Sequence, residues 1–230
     1  MRRTIERELG KPVEALFATF DSAPVAAASL AQVHRGTLPD GTAVAVKVQR
    51  PDLERLIGRD LDAMEWGLRW LYRLLPRRMR RTNLLDFFAE FRRYTIQEMD
   101  FSQEGRVIGR FRENFASRPD VKFPAVHGNE TSQRVLTLDW VEGLRLGEAV
   151  SLLGEDERRR LVTLLVDVLL QMFVSDGLFH ADLHPGNIFF HRDGTFTLLD
   201  FGMYGELTPP QRDRFILYWF AVVQRQTRRA

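Results

Sequence analysis

The stretch FHADLHPGNIFF, residues 179–190, poses the question on which the interpretation of this chain depends. His180, Asp182 and His184 are spaced two apart, so an extended segment would place their three side chains on one side. One interpretation is therefore a His/Asp metal site. The other is the catalytic loop of a phosphoryl-transfer enzyme, because the motif LLDFGM follows at residues 198–203.

The metal-site interpretation is the weaker of the two. Pro185 and Gly186 break the strand that it needs, and the sequence has no cysteine and no further histidine cluster to complete a Zn²⁺ site. A kinase-like loop instead accounts for D-x-x-x-x-N from Asp182 to Asn187, followed by Asp200 of D-F-G. In such a loop one carboxylate orients or deprotonates the attacking group, while an amide oxygen and a second carboxylate hold Mg²⁺.

Lysine is scarce in this chain, which makes each lysine informative. Lys11, Lys47 and Lys122 are the only lysines among 33 basic residues of the Lys and Arg types. In TAVAVKVQ, residues 42–49, strand alternation places three valines on one face and Lys47 with two alanines on the other. The ammonium group would suit a phosphate, although a lysine on a strand also protects a sheet edge from aggregation.

The region from Asp52 to Phe115 has the apolar periodicity of helices and carries two glutamates on apolar stripes. The stripes are Leu84, Phe88, Phe91, Thr95 and Glu98, and then Phe101, Glu104, Ile108, Phe111 and Phe115. A buried carboxylate is costly without a cation. We therefore expect Glu98 or Glu104 to meet Lys47 if the helix packs on the strand.

The other elements predict an α+β layout of two lobes with a cleft between them. HRGTL and TAVAVKVQR form a hairpin around Pro39-Asp40-Gly41, and NIFFH and TFTLLDF form a second one around Arg192-Asp193-Gly194. The remaining predictions are a strand pair of VKFPAVHG with RVLTLDWV, a helix over 158–175 and a last helix from Thr208. Gly143 and Gly147 punctuate a connector between the halves.

Composition favours a globular protein of the cytoplasm. The 230 residues are 44% hydrophobic and 28% charged, and a net charge of +2 gives no reason to expect a nucleic-acid partner. The absence of cysteine is compatible with a reducing compartment. The N-terminus lacks the apolar core of a signal peptide, and no apolar run is long enough to span a bilayer.

Five segments in combination resemble the UbiB (ADCK) family of atypical, kinase-like proteins. They are PVAAASLAQVH, DGTAVAVKVQRP, QEMDFSQEG, FHADLHPGN and LLDFGM. The resemblance runs from about Glu8 to Phe220 and implies a protein-kinase-like fold that binds ATP and Mg²⁺. It also implies ATPase or small-molecule-directed activity in ubiquinone or other isoprenoid-lipid metabolism.

The same resemblance assigns roles to individual residues. Lys47, Glu104 and Asp182 would be catalytic, with Glu104 preferred to Glu98 as the partner of Lys47. Asn187 and Asp200 would hold the metal, and Glu98 and Asp100 match the family's E-x-D motif. The nucleotide would meet Lys47, the alanine-rich loop and the hinge, whose residues are Ala26, Ala27, Ala28, Ser29, Asp139, Trp140 and Val141. The implied lobes are 1–138 and 148–230, with a hinge or connector at 139–147.

Departures from the family pattern bear on the expected activity. The K-x-G-Q motif and the C-terminal helices are missing, so the chain is expected to be a fragment with a truncated C-lobe. A proline-started helix follows D-F-G closely, which leaves no activation segment as a platform for a peptide substrate.

Two other functions are compatible with the sequence. One is a small-molecule phosphotransferase of the aminoglycoside or choline-kinase type, whose catalytic loop is similar. The other is an inactive nucleotide-binding module that lies peripherally at the inner face of a membrane. The segment MEWGLRWLYRLLPRRMRR, residues 64–81, favours a membrane surface through Trp66, Trp70, Leu74 and its arginines, although a solvated basic helix has the same composition.

Overall fold

A computed structural model describes residues 1–27, 30–74 and 84–224. The described residues fall into two compact units. The first comprises Met1–Gly105 and Val126–Asp139, and the second comprises Arg106–Ala125 and the described residues from Trp140 onwards. The lobe limits 1–138, 139–147 and 148–230 stay a prediction.

Among the described residues, five helices and six strands precede residue 140, and three helices and four strands follow it. The helices are α1 (Arg2–Leu9), α2 (Val13–Leu16), α3 (Leu53–Leu74), α4 (Leu84–Gln97), α5 (Phe101–Asn114), α6 (Leu146–Leu152), α7 (Glu155–Leu170) and α8 (Pro209–Val223). The strands are β1 (Thr19–Phe20), β2 (Ala26–Ala27), β3 (Ala31–Thr37), β4 (Ala43–Gln49), β5 (Val121–Lys122), β6 (Val135–Asp139), β7 (Leu178–His180), β8 (Ile188–Phe190), β9 (Phe196–Leu198) and β10 (Tyr204–Glu206).

An antiparallel sheet organises the first unit, with strand order β1-β3-β4-β6 and β2 paired to β3. The predicted hairpin of β3 and β4 is confirmed, with Leu38 N donating to Thr42 O at 2.8 Å and Gly41 in the left-handed region at φ +91°. The predicted alternation of faces is confirmed as well, since every valine of β4 is fully buried. Lys47 lies on the opposite, half-buried face.

The valine face of β4 forms the core of the first unit with the two N-terminal helices. The buried cluster consists of Ile5, Val13, Leu16, Phe17, Leu38, Val44, Val46, Val48 and Val135. Burying these side chains removes their apolar surface from water, at about 25 cal/mol for each Å². The strand that carries Lys47 is thus held rigidly from its other side.

Two small sheets and a long helix build the second unit. β8 and β9 form the predicted second hairpin, and β7 pairs antiparallel with β10. The predicted helix over 158–175 is present as α7 and a π-helical segment (Gln171–Asp176) that Gly177 ends at φ +65°. The predicted last helix begins at Pro209, where Thr208 N donates to Gln211 Oε1 at 2.9 Å.

The predicted strand pair of VKFPAVHG with RVLTLDWV is only partly confirmed. β5 instead pairs in parallel with β9, and the two predicted strands share only the bridge between Val126 and Leu138 among the described residues. Pro124 explains the interruption, because proline has no N–H to donate to a ladder. The neighbouring Phe123 turns into an aromatic cluster with Phe111 at a ring distance of 5.8 Å.

The two predicted helical stripes have different outcomes. The second is confirmed, because Phe101, Ile108, Phe111, Phe115 and Glu104 are all buried. The first is partly wrong: Phe88 is buried, but Phe91 is 44% exposed and Glu98 lies in the turn after α4. α4 packs chiefly against α3 and not on the sheet, so its stripe is only partly covered. Within the described parts of the chain, no helix combines the length and apolarity needed to cross a membrane.

Candidate active site

Lys47 and Glu104 form an ion pair in the first unit. Lys47 Nζ donates to Glu104 Oε2 at 2.9 Å and to Oε1 at 3.1 Å. The carboxylate side chain is 4% exposed and the lysine side chain 19% exposed, so both charges are largely removed from water. The ring of Phe101 lies 5.1 Å from the ammonium nitrogen, close enough for a cation–π contact. The structure thus pairs Lys47 with the glutamate that the resemblance assigns to it.

Helix α5 presents Glu104 because Asp100 caps its first turn. Asp100 Oδ1 accepts from Ser102 N at 3.0 Å and from Ser102 Oγ at 2.6 Å. An aspartate in this place satisfies a backbone N–H of the helix start that has no partner within the helix. Glu98, the other E-x-D residue, lies in the preceding turn, where its N–H donates to Tyr94 O at 2.9 Å.

His180 is a structural residue of the loop in the second unit. Its Nε2 donates to Leu199 O at 3.0 Å, and its Nδ1 accepts from Asp182 N at 3.2 Å. Burial lowers the pKa of His180, although Leu199 O and the carboxylates of Asp200 and Asp182 act in the opposite direction. Since both ring nitrogens of the neutral imidazole are engaged, His180 has none left for a metal.

His184 and Asn187 brace the other side of the same loop. His184 Nδ1 accepts from Gly186 N at 3.0 Å, while its Nε2 lies 3.7 Å from Asp182 Oδ2. The buried Asn187 donates from its amide nitrogen to Asp182 O at 3.0 Å. The Asp182 carboxylate itself is 46% exposed and accessible to a reactant.

Asp200 has a left-handed backbone, with φ +55°. Such a conformation is unfavourable for a residue with a Cβ, although aspartate tolerates it better than most residues, and it persists only where the surroundings impose it. Phe201 supplies that restraint, because it is fully buried, with ring distances of 5.0 Å to Phe111 and 5.7 Å to Phe123. The buried phenylalanine therefore fixes the exposed carboxylate beside it.

The donor set of the loop fits Mg²⁺ and not the His/Asp metal box. The amide nitrogen of Asn187 is held by Asp182 O, so the amide oxygen is the atom left for a ligand, and Asp200 offers carboxylate oxygens. These hard oxygen donors suit Mg²⁺ when substrate phosphates and water complete the shell. Among the described residues, no three His, Cys, Asp or Glu side chains converge as a metal site.

The other residues predicted to contact the nucleotide belong to the alanine-rich loop and to the hinge. Ala26 and Ala27 form β2, an exposed strand beside β3, whereas Ala28 and Ser29 lie outside the described residues. In the predicted hinge, Asp139 ends β6 and its Oδ1 lies 2.9 Å from His127 Nε2. Trp140 donates from its indole nitrogen to Glu142 Oε1 at 3.3 Å, and Val141 is half-buried.

Gln49 is a buried polar residue that the sequence patterns did not single out. This residue follows Lys47 by two positions on β4, is 2% exposed and donates from its side chain to Met99 O at 2.9 Å. The sequence feature that could have indicated it is a polar residue at the end of a strand, on the same face as Lys47. Its buried bond leads to the turn that precedes Glu104.

The whole chain, residues 1–230, matches the model of the ABC1 atypical kinase-like domain. The chain belongs to this family. The predicted resemblance to UbiB is confirmed, and so is the α+β, kinase-like fold class. Membership of the ABC1 family favours an atypical kinase of the UbiB type over a small-molecule phosphotransferase of the aminoglycoside or choline-kinase type. Kinase-like domains generally use ATP and Mg²⁺, in agreement with the donor set of the loop.

Curated relatives of the ABC1 family match nearly all of the chain. An uncharacterized protein of Synechocystis sp., sll0005, is 40% identical over 91% of the chain and 31% of its own length. Protein ACTIVITY OF BC1 COMPLEX KINASE 1, chloroplastic, of Arabidopsis thaliana is 38% identical over 93% of the chain and 31% of its own length. The chain therefore spans about a third of the length of these relatives.

A solved structure shares the fold of this ABC1 member. The complex of Rv3197 with erythromycin from Mycobacterium tuberculosis superposes with a TM-score of 0.72 at 29% sequence identity. The similarity covers 89% of this chain and 51% of that one. This chain thus corresponds to about a third of the length of the two curated relatives and to about half of the Rv3197 chain.

Proposed function

We propose that this chain binds ATP with Mg²⁺ and transfers the γ-phosphoryl group to water or to a small or lipid-like acceptor. The observation that carries this proposal is the ion pair of Lys47 with Glu104, at 2.9 Å and largely out of water. Two charges are costly to remove from water, and a well-packed apolar pair could replace them without loss of stability. A functional demand on the ammonium group accounts for their presence.

Each residue of the loop has a role in this proposal. Asp182 orients or deprotonates the attacking hydroxyl, and its half-exposed carboxylate supports this assignment. Asn187 and Asp200 would hold Mg²⁺, which supplies charge neutralisation to the phosphate oxygens when it is bound. Lys47 would bind phosphate as a point charge, while Glu104 keeps the ammonium in place.

For the acceptor we propose an isoprenoid lipid, in support of ubiquinone or related metabolism. The UbiB resemblance supports this class. The short path from D-F-G to α8 supports it as well, because β10 and α8 occupy the chain where a peptide-binding segment would lie. Among the relatives, the Arabidopsis proteins carry names that refer to the activity of the bc1 complex.

Replacing Asp200 with asparagine is expected to weaken Mg²⁺-dependent ATP binding at least about tenfold, because a neutral amide oxygen takes the place of the carboxylate in the proposed ligand pair. Isothermal titration calorimetry with and without Mg²⁺ measures the change. Asp193→Asn is the matched control, since Asp193 lies exposed in the β8–β9 turn and pairs with Lys122. Equal affinities of wild type and Asp200→Asn would remove the metal assignment.

A peripheral membrane position is a second candidate property of the chain. Several large apolar side chains on α3 are exposed, namely Leu56, Met64, Trp66, Trp70, Leu71 and Leu74. Trp66 and Trp70 lie side by side with a ring distance of 6.1 Å, and Arg69 and Arg73 accompany them on the helix. Tryptophans with arginines on an amphipathic helix are typical of the membrane interface. The predicted arginine cluster at 77–81 lies outside the described residues.

The double change Trp66→Ser and Trp70→Ser is expected to reduce binding to anionic vesicles about tenfold or more, because two interfacial side chains lose apolar burial. Flotation with vesicles that contain or lack an isoprenoid quinone measures both the surface and the lipid class. Trp219→Ser on α8 is the control for a partly exposed tryptophan elsewhere. Unchanged flotation of the double variant would exclude α3 as the contact surface.

A further inference from the structure

We propose that Gln49 is a positioning residue that sets the Lys47–Glu104 ion pair. Gln49 Nε2 donates to Met99 O at 2.9 Å, and both residues are buried, with exposures of 2% and 8%. Buried amides are found where a hydrogen bond satisfies them. The bond ties the strand that carries the lysine to the turn from which the glutamate's helix begins.

Gln49 lies on the same face of β4 as Lys47, so its hydrogen bond to Met99 O acts beside the lysine. Residues two apart on a strand share a face, so Gln49 and Lys47 project to the same side. Val48 between them is fully buried in the core on the opposite side, which fixes the strand. On the other partner, Met99 lies two residues before α5, whose first turn leads to Glu104.

Two further contacts place the start of α5 against the sheet. Phe101 N donates to Gln133 O at 2.9 Å, and Gln49 N donates to Arg134 O at 2.9 Å. The Phe101 ring also contacts the Lys47 ammonium at 5.1 Å. Of the three hydrogen bonds, the one from the Gln49 side chain is the one that a substitution removes without altering the backbone.

Gln49→Met preserves the length of the side chain but removes the donor, and leaves Met99 O without its partner. We expect the first turn of α5 to loosen and Glu104 to release Lys47 for part of the time. The same change at Gln133 is the matched control, because the Gln133 side chain is exposed beside the same turn. Gln49→Asn keeps the amide on a shorter side chain and is expected to have an intermediate effect.

The three lysines of the chain make a direct measurement feasible. Native acetylation with N-hydroxysuccinimidyl acetate, followed by mass spectrometry, reports each rate separately. Lys11 is exposed and Lys122 is 47% exposed, so both serve as internal references. In Gln49→Met the rate at Lys47 is expected to rise at least about fivefold, with the reference rates unchanged.

Two results would overturn the proposal. One is an unchanged Lys47 rate in a folded Gln49→Met protein, and the other is an equal rise at all three lysines, which indicates general opening. If Gln49→Met does not fold, Gln49→Asn applies the same criterion. The role of Lys47 towards phosphate rests on the proposed function, whereas the acetylation rate needs no nucleotide. Adding MgATP distinguishes a failure of this proposal from a failure of the proposed function. If the acetylation rate of Lys47 rises in Gln49→Met but MgATP does not slow it, only the proposed function is contradicted.

Discussion

Glu104→Leu is expected to destabilise the chain by about 3 kcal/mol, because it leaves the Lys47 ammonium in a largely buried place without its carboxylate. Breaking a buried ion pair by removing one partner typically costs about 3–5 kcal/mol. The lysine side chain retains 19% exposure, which places the expected cost at the lower end of that range. Urea denaturation followed by circular dichroism measures the free energy of unfolding.

The double variant Lys47→Met with Glu104→Leu separates charge burial from packing. Replacing both partners with apolar side chains of similar size also removes the charge of Lys47 from the largely buried place, so most of the lost stability is expected to return. Nucleotide binding is not expected to return, because the phosphate ligand is gone. Equal stability of Glu104→Leu and wild type would show that the pair is not buried in solution, and would weaken the proposed role of Lys47.

Phe111→Ala is expected to cost about 3–5 kcal/mol, the range found when a buried phenylalanine is truncated to alanine. Phe111 has no exposed surface, and its ring contacts Phe201 at 5.0 Å and Phe123 at 5.8 Å. The cavity would open beside Phe201, the residue that restrains the left-handed backbone of Asp200. We therefore expect weaker Mg²⁺-dependent ATP binding as well as a lower free energy of unfolding.

Phe220→Ala on α8 provides the control for Phe111→Ala. Its side chain is 60% exposed, so the same chemical change is expected to alter the unfolding free energy by less than about 1 kcal/mol. Thermal and urea denaturation of the two variants under one set of conditions make the comparison. A Phe111→Ala protein as stable as Phe220→Ala would contradict the aromatic cluster.

Local patterns were sufficient to predict the elements that carry the candidate site. The alternation in TAVAVKVQ correctly separated the valine face of β4 from Lys47, because strand alternation depends only on neighbouring residues. The second helical stripe likewise located Glu104 on a buried face. The loop around Asp182 was predicted by residue types at short spacing, and the contacts of His180 and His184 show how it is braced.

The features that were missed depend on partners far along the chain. β5 pairs in parallel with β9, and nothing in VKFPAVHG indicates that partner. Phe91 occupied a regular stripe, but how much of α4 is covered depends on where α3 lies. The bond of Gln49 to Met99 joins two residues that no local period relates. Tertiary packing decides these outcomes, and it overrides local propensity.

The π-helical segment Gln171–Asp176 adds one residue to the chain before β7 and the loop around Asp182. Hydrogen bonds in a π-helix close a ring one residue longer than in an α-helix. Deleting one residue there would restore α-helical spacing and shift β7 by a single position against β10. Because strand side chains alternate, that shift would exchange the faces of Phe179 and His180. In relatives of the ABC1 family, a one-residue deletion within this segment is therefore expected to change the residues that face the loop as much as a substitution in the loop would.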